Sequence, residues 1–238
     1  TETGGTKLIY NGTPDGSGNC TNTTGEATQI GTSAFNSQID DNAYVGYMYG
    51  TPNSSTYEET HANINDSTIK GIIDTWYQTN LLNYTSYLED TVWCNDRSID
   101  PNKGSLNGFS SPYTTLGYGN NNTVYGAGPR VGHNLETVIP ELTCPNSNDR
   151  FTVSTDNGNG ALTYPVALLT ADEVAFAGAV TGVDNTNYYL YIAKSGWTIT
   201  PYVFSTDAGN FYMGDSLSLD DLNSNTVLAV RPAISLKA

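Results

Sequence analysis

Charge is scarce in this sequence. Charged residues make up 14% of the chain, against about 25% in an ordinary soluble domain, so much of the surface must be uncharged polar. Positive charge is scarcest: nine Lys and Arg stand against 24 Asp and Glu, for a net charge of −15. With no basic stripe, nucleic acid and anionic membrane surfaces are poor partners, because the acidic surface repels them. Cations or basic surfaces fit better, and an acidic face kept for solubility accounts for the same charge. No run of 18 apolar residues occurs, so no segment reads as a membrane-spanning helix and no membrane insertion of this stretch is expected. No leader with a basic start and an apolar middle is visible either; if the protein is exported, this sequence is a mature or trimmed ectodomain.

The side chains of common catalysis are sparse as well. Only His61 and His133 occur, neither at zinc-ligand spacing from a cysteine. No H-E-x-x-H, G-x-S-x-G, phosphate-binding or dinucleotide-binding pattern is present. Asp and Glu are scattered, and nothing in the sequence singles out two that face each other as a glycosidase pair would. Three cysteines, Cys20, Cys94 and Cys144, allow at most one intrachain disulfide and leave one thiol over. Cys94 and Cys144 form the best pair, each followed closely by Asn-Asp-Arg (95 to 97 and 148 to 150). The bridge would close a loop of about 50 residues and contribute roughly 3–4 kcal/mol. The alternative is three buried thiols.

What the chain does hold is Asn, Thr, Ser, Gly and aromatic residues, with 17 Tyr and three Trp. That apolar area argues against disorder. At 238 residues with no Pro-rich or charged linker, one domain spanning 1–238 is expected; Thr1 to Gly5 reads as a possible vector remnant without weight in the fold. Lys7 to Tyr10 reads as a strand ended by the Asn11-Gly12 turn, and 11 to 26 as a surface loop. Thr28 to Phe35 is ambiguous. Ala43 to Tyr49 reads as a strand with mixed faces, and Thr51 to Asn65 as a polar excursion. The clearest helix follows: Asp66 or Ser67 caps it, and Ile69, Ile72, Ile73, Trp76 and Tyr77 fall on one core-facing stripe. A second short helix is expected from about Tyr84 to Leu88. Residues 95 to 134 look irregular and form a long loop region, a candidate recognition surface or a solvated loop. Sequons such as Asn83-Tyr84-Thr85 occur, as this composition produces by chance.

The last third, Gly160 to Ala238, is the organising stretch. The apolar run Val166 to Leu169 meets a helix start at Thr170, where Glu173 completes a capping box. Tyr188 to Ile192, Trp197 to Phe204 and Val227 to Leu236 read as strands bounded by turn residues. An antiparallel sheet with one short helix laid on it is expected.

Leu169 to Val174, Tyr189-Leu190-Tyr191, Trp197-Thr198-Ile199-Thr200-Pro201 and Val230-Arg231-Pro232-Ala233-Ile234-Ser235-Leu236 resemble the C-terminal half of a bacterial surface-protein family, mostly from gut Firmicutes and Mollicutes. That family is similar to the C-type-lectin-like fold of formylglycine-generating enzymes and retroelement-diversified receptor proteins. Tyr44 to Gly50, Ser67 to Tyr77 and Cys94 to Arg97 share the likeness. The resemblance implies an α+β, C-type-lectin-like fold with two short helices and long polar loops, and a binding scaffold more than a reaction. No cysteine follows Cys144, so the reactive C-terminal cysteines of the formylglycine enzymes have no counterpart. The E-P-N, Q-P-D and W-N-D signatures of calcium-dependent sugar binding are also absent.

Several candidate sites follow. Tyr188, Tyr189, Tyr191, Trp197, Tyr202, Asn210, Phe211 and Tyr212 lie where the receptor relatives concentrate their variable binding residues, and aromatic anchors beside small polar residues suit recognition; about half must face the core, since strands alternate. Asp96, Asp100 and Asn102, and separately Asp156, Asn157 and Asn159, offer oxygen ligands for calcium, outside the EF-hand register; otherwise no cofactor is implied. Arg231 reads as structural, pairing with an acidic residue or strand-end carbonyls. The expectation is a secreted or surface-displayed bacterial module that binds a protein or glycan partner without catalysis. The alternative is the head of a pilin-like surface-assembly subunit, and an enzyme on the same fold comes third.

Overall fold

A computed structural model describes residues 1, 4–19, 24–102, 113, 115–132 and 138–238. It is mixed α+β, with mostly antiparallel sheets and few helices. Cys20, His133 and the middle of the 95–134 loop region lie outside the described residues.

The first half supplies short strands and the main helix. In chain order these are β1 (Thr6–Ile9), β2 (Gly31–Ser33), β3 (Met48–Tyr49), α1 (Tyr57–Thr60), β4 (Asn65–Asp66), α2 (Thr68–Asn80), β5 (Trp93–Cys94) and β6 (Thr123–Val124). The second half adds β7 (Arg150–Phe151), β8 (Val166–Ala167), α3 (Ala171–Phe176), β9 (Gly196–Phe204), β10 (Ala208–Met213), β11 (Leu219–Asn223), β12 (Leu228–Val230) and β13 (Ala233–Leu236).

Local rules hold where a stripe or a cap is strong. The Ser67 hydroxyl accepts the Lys70 amide and starts α2, and Ile69, Ile73 and Tyr77 are buried in the main core with Trp93, Trp197, Phe35 and Phe151. Trp76 is only partly covered and meets Tyr10 edge-on at 5.6 Å. At α3 the capping box forms as expected: Thr170 accepts the Glu173 amide, and Glu173 accepts the Thr170 amide at 2.9 Å. The helix expected near Tyr84 is a 3₁₀ helix, Leu82–Tyr87.

Strand β9 is the centre of the fold. β10 lies antiparallel on one side, β12 pairs parallel with its start, and β6 pairs antiparallel with its end. Pro201 cannot donate to the ladder, and the β9–β10 register shifts on both sides of Asn210, its partner. The Asn210 side chain repairs this interior, donating to the Val45 carbonyl at 3.0 Å and accepting the Ser224 hydroxyl at 2.6 Å.

Three expected strands are corrected. Val227 to Leu236 is not one strand. Arg231-Pro232 breaks it, sending β12 into the large sheet and β13 into a separate sheet ordered β1-β13-β8. The Pro232 carbonyl there accepts the Tyr10 amide at 2.8 Å, while proline has no N–H to return. Tyr188 to Ile192 is a run of turns, in which the Tyr191 amide bonds the Tyr188 carbonyl at 2.9 Å. Ala43 to Tyr49 likewise divides into a 3₁₀ turn, Asn42–Val45, and the short β3.

Arg231 is structural. It donates to the Tyr10 carbonyl (3.1 Å), the Leu190 carbonyl (3.0 Å) and Asn11 Oδ1 (3.1 Å), and burial lowers its pKa to about 10. Cys94 and Cys144 are joined, with Cα atoms 5.6 Å apart. The two Asn-Asp-Arg runs meet in space. Cys94 opposes Arg150 across the β5–β7 pair, and buried Arg97 donates to Asp149 Oδ1 at 2.7 Å and to the Met48 carbonyl at 3.0 Å.

Candidate functional site

A cleft of about 590 Å³ opens where α3, the Cys94–Cys144 bridge and the 138–144 segment meet. Its position follows from three local features. Gly128–Gly132 makes one π-turn that carries Arg130. A Cβ on Gly126 would sit 2.7 Å from Ser98 Oγ and 3.3 Å from Arg130 Nη1, so a larger residue there would push on the side chains of Ser98 and Arg130. The capped first turn of α3 presents Asp172 and Glu173 to the cleft. The disulfide fastens the end of the 138–144 segment.

Ion pairs hold the cleft's polar side. Arg130 grips Asp172 with two parallel bonds, Nε to Oδ1 at 3.1 Å and Nη2 to Oδ2 at 3.0 Å, the fork geometry that makes such pairs strong. Its Nη2 also donates to Asp96 Oδ2 at 2.7 Å, and Glu141 Oε2 stands 4.0 Å from Nη1. Burial works against the guanidinium charge, yet Asp172 and Asp96 more than offset it and hold its pKa above the ordinary value. Asp172 Oδ1 further accepts the Glu141 amide at 2.9 Å, and the Arg130 carbonyl accepts the Ile139 amide at 3.1 Å. Lys7 bonds Glu173 at 2.6 Å and lies 4.4 Å over the Trp93 ring. The amino group of Thr1, also on the lining, is turned onto the Gly5 carbonyl at 3.0 Å.

The lip is apolar. Phe176 is 70% exposed, Tyr189 72% and Leu142 56%, and all three line the cleft. Ile139, in the segment that carries Leu142, is also exposed. Exposed large apolar side chains are ordinary one at a time; a group at a concave mouth is a feature of interaction sites.

The eight aromatic and amide candidates separate. Tyr189 stands on the cleft lip, Tyr188 is half-buried with its ring 4.3 Å from that of Tyr189, and Tyr191 and Tyr212 are half-buried elsewhere. Trp197, Tyr202, Asn210 and Phe211 are buried, and their candidacy as ligand contacts is withdrawn. Trp197 donates its indole N–H to the Ser33 carbonyl at 3.0 Å, and Tyr202 packs edge-on against Phe211 at 4.8 Å. The physical reason is that β9 and β10 are covered on both faces, so alternation does not turn every second residue to solvent.

Two of the calcium candidates, Asp96 and Asp100, each close a local turn onto the amide two residues on. Asp96 accepts Ser98 N and Arg130, buried Asp100 accepts the Asn102 amide at 2.9 Å, and Asn102 is exposed. Asp156 and Asn157 lie on an exposed turn beside half-buried Asn159. Among the described residues no group of three or more His, Cys, Asp or Glu is placed to hold a metal ion. Sequence reasoning missed Lys7, Arg130, Glu141, Leu142, Asp172 and Phe176. The available signals were an arginine set among glycines in a chain with few cations, and an apolar residue off the buried stripe at the end of a six-residue helix.

His61 is buried. Its Nε2 meets the Gly117 carbonyl at 3.0 Å and its ring lies 3.9 Å from that of Tyr57. Burial first, then Arg97, drive its pKa well below the ordinary value. No helix among the described residues is long and apolar enough to cross a membrane. No protein family, curated protein or solved structure matches this chain.

Proposed function

We propose that this protein is a non-catalytic binding module with a C-type-lectin-like layout, displayed outside the cell, and that it recognises a protein or glycan partner through the cleft beside α3. The carrying observation is the cleft itself: a preorganised polar wall under a lip of Phe176, Tyr189 and Leu142. Sites of about 300–1,000 Å³ with an apolar lining and few placed polar groups are the usual form of a ligand site. The layout is supported by a helix-bearing first half that feeds a β-rich second half, with the first and last strands paired as β1–β13. An oxidising compartment is supported by the Cys94–Cys144 bridge. Binding without chemistry is supported by the carboxylates: Asp96 and Asp172 are occupied in clamping Arg130, and Glu173 in capping α3 and holding Lys7.

The test is a broad glycan array and an intact-cell binding screen with the whole chain, each run with and without chelator. Binding is expected, and the double substitution Phe176→Ala, Tyr189→Ala abolishes it while leaving the melting curve in place, since both rings are mostly exposed. Silence across both screens, or binding indifferent to the double substitution, refutes the proposal.

A further inference from the structure

Resting on that reading, we infer that the cleft takes a basic side chain flanked by apolar residues, presented by an extended segment of a partner protein. The cleft's lining side chains carry four carboxylates, Asp96, Glu141, Asp172 and Glu173, against two cations, Lys7 and Arg130. Adding the Thr1 amino group leaves the negative charges in the majority. An anionic ligand would have to draw Arg130 away from a bidentate carboxylate and a second one at 2.7 Å, so the arginine offers it little.

Glu141 is the carboxylate with room for a new donor. Its side chain is 48% exposed, its Oε2 is 4.0 Å from Arg130, and its Oε1 accepts the Thr143 hydroxyl at 2.6 Å. A guanidinium or ammonium head reaching Glu141 crosses the lip formed by Leu142, Phe176 and Tyr189. Arg and Lys lay their aliphatic stems along such surface, and an aromatic face attracts the charged head. Leu142 on the lining, with the exposed Ile139 three residues earlier in the same segment, provides apolar cover for a residue flanking the basic one. Charge and lip thus select the same occupant. The acidic surplus of the whole chain, −15, favours encounter with a basic segment over long range.

The probe is the peptide acetyl-Leu-Arg-Leu-amide, compared with the same peptide carrying citrulline in place of arginine, titrated into the isotopically labelled whole chain by amide NMR. The arginine peptide is expected to move resonances of Glu141, Leu142, Phe176 and Tyr189 first. Citrulline, isosteric but neutral, binds about fivefold more weakly, and Glu141→Gln weakens the arginine peptide by about threefold to fivefold, the range of a half-exposed ion pair. Raising salt from about 50 mM to about 300 mM weakens it further. Equal binding of both peptides, shifts confined to another surface, or no shift at millimolar peptide overturns the inference. A neutral oligosaccharide that moves the same four residues while the arginine peptide does not also overturns it, and leaves the binding-module reading standing. Failure of that reading is the separate result of silent glycan and cell screens.

Discussion

Replacing both cysteines of the bridge, Cys94→Ala with Cys144→Ala, tests whether the cleft wall is held by the chain's covalent closure. The bridge spans 50 residues of sequence. Loop-closure entropy for a ring of that size gives about 4 kcal/mol of stability through the unfolded state, within the 2–5 kcal/mol that removal of native bridges costs. A chain of 238 residues unfolds with an entropy of roughly 0.5 kcal/mol/K, so the melting temperature should fall by roughly 8 °C. The effect should also be local. The 138–144 segment keeps the Glu141 amide bond to Asp172 and the Ile139 amide bond to Arg130, but loses the anchor at its end. Amide exchange in residues 138–144 should therefore accelerate more than in β9, which is buried along nearly its whole length. Calorimetry and hydrogen exchange on the oxidised and doubly substituted proteins measure both. A melting temperature that moves by no more than about 1 °C, or uniform exchange, refutes the account of the wall as disulfide-anchored.

Three other outcomes are expected. His61 is held neutral by burial, with Arg97 adding to the effect; its folded pKa lies below the unfolded value of about 6.5, so the unfolded state binds the extra proton and stability falls as pH drops below about 6.5. His61→Gln should flatten that part of the stability profile, and a slope unchanged in urea melts between pH 5 and 7.5 contradicts the assignment. Asp221 behaves in the opposite sense: burial, then Asp220, raise its pKa to about 6, so the stability it contributes is present below about pH 4 and lost as pH rises through about 6. Asp221→Asn should match the parent near pH 4 and melt higher near pH 7; a lower melting temperature at pH 7 counts against it. Gly71 lies inside α2, and a Cβ there meets nothing within 4 Å, so Gly71→Ala should stabilise by about 1 kcal/mol, or roughly 2–4 °C. A destabilised variant contradicts the reading of position 71 as open helix surface.

The chain's own pattern settled the elements that depend on neighbours in sequence. A cap at Asp66 or Ser67 and the Ile69, Ile72, Ile73, Trp76, Tyr77 stripe mark α2, Thr170 and Glu173 start α3, and Trp197 to Phe204 is a strand, because capping and side-chain period act over three or four residues; the fold then chose Ser67 as the cap and buried Ile69, Ile73 and Tyr77. The repeated Asn-Asp-Arg marked Cys94 and Cys144 as partners, and Arg231 finds backbone carbonyls as its buried position demands. Tertiary structure alone decided which aromatic residues meet solvent. Trp197 and Ile199 enter the main core, while Tyr202 and Phe204 enter two others, so a strand packed on both faces hides residues that alternation would expose. Only the fold could split Val230-Arg231-Pro232-Ala233 between two sheets, since proline forbids a ladder bond without saying where the chain goes next. The cleft was beyond the sequence for the same reason. Its charges come from positions 7, 96, 130, 141, 172 and 173, and Coulomb attraction acts on distances in space that no spacing along the chain records.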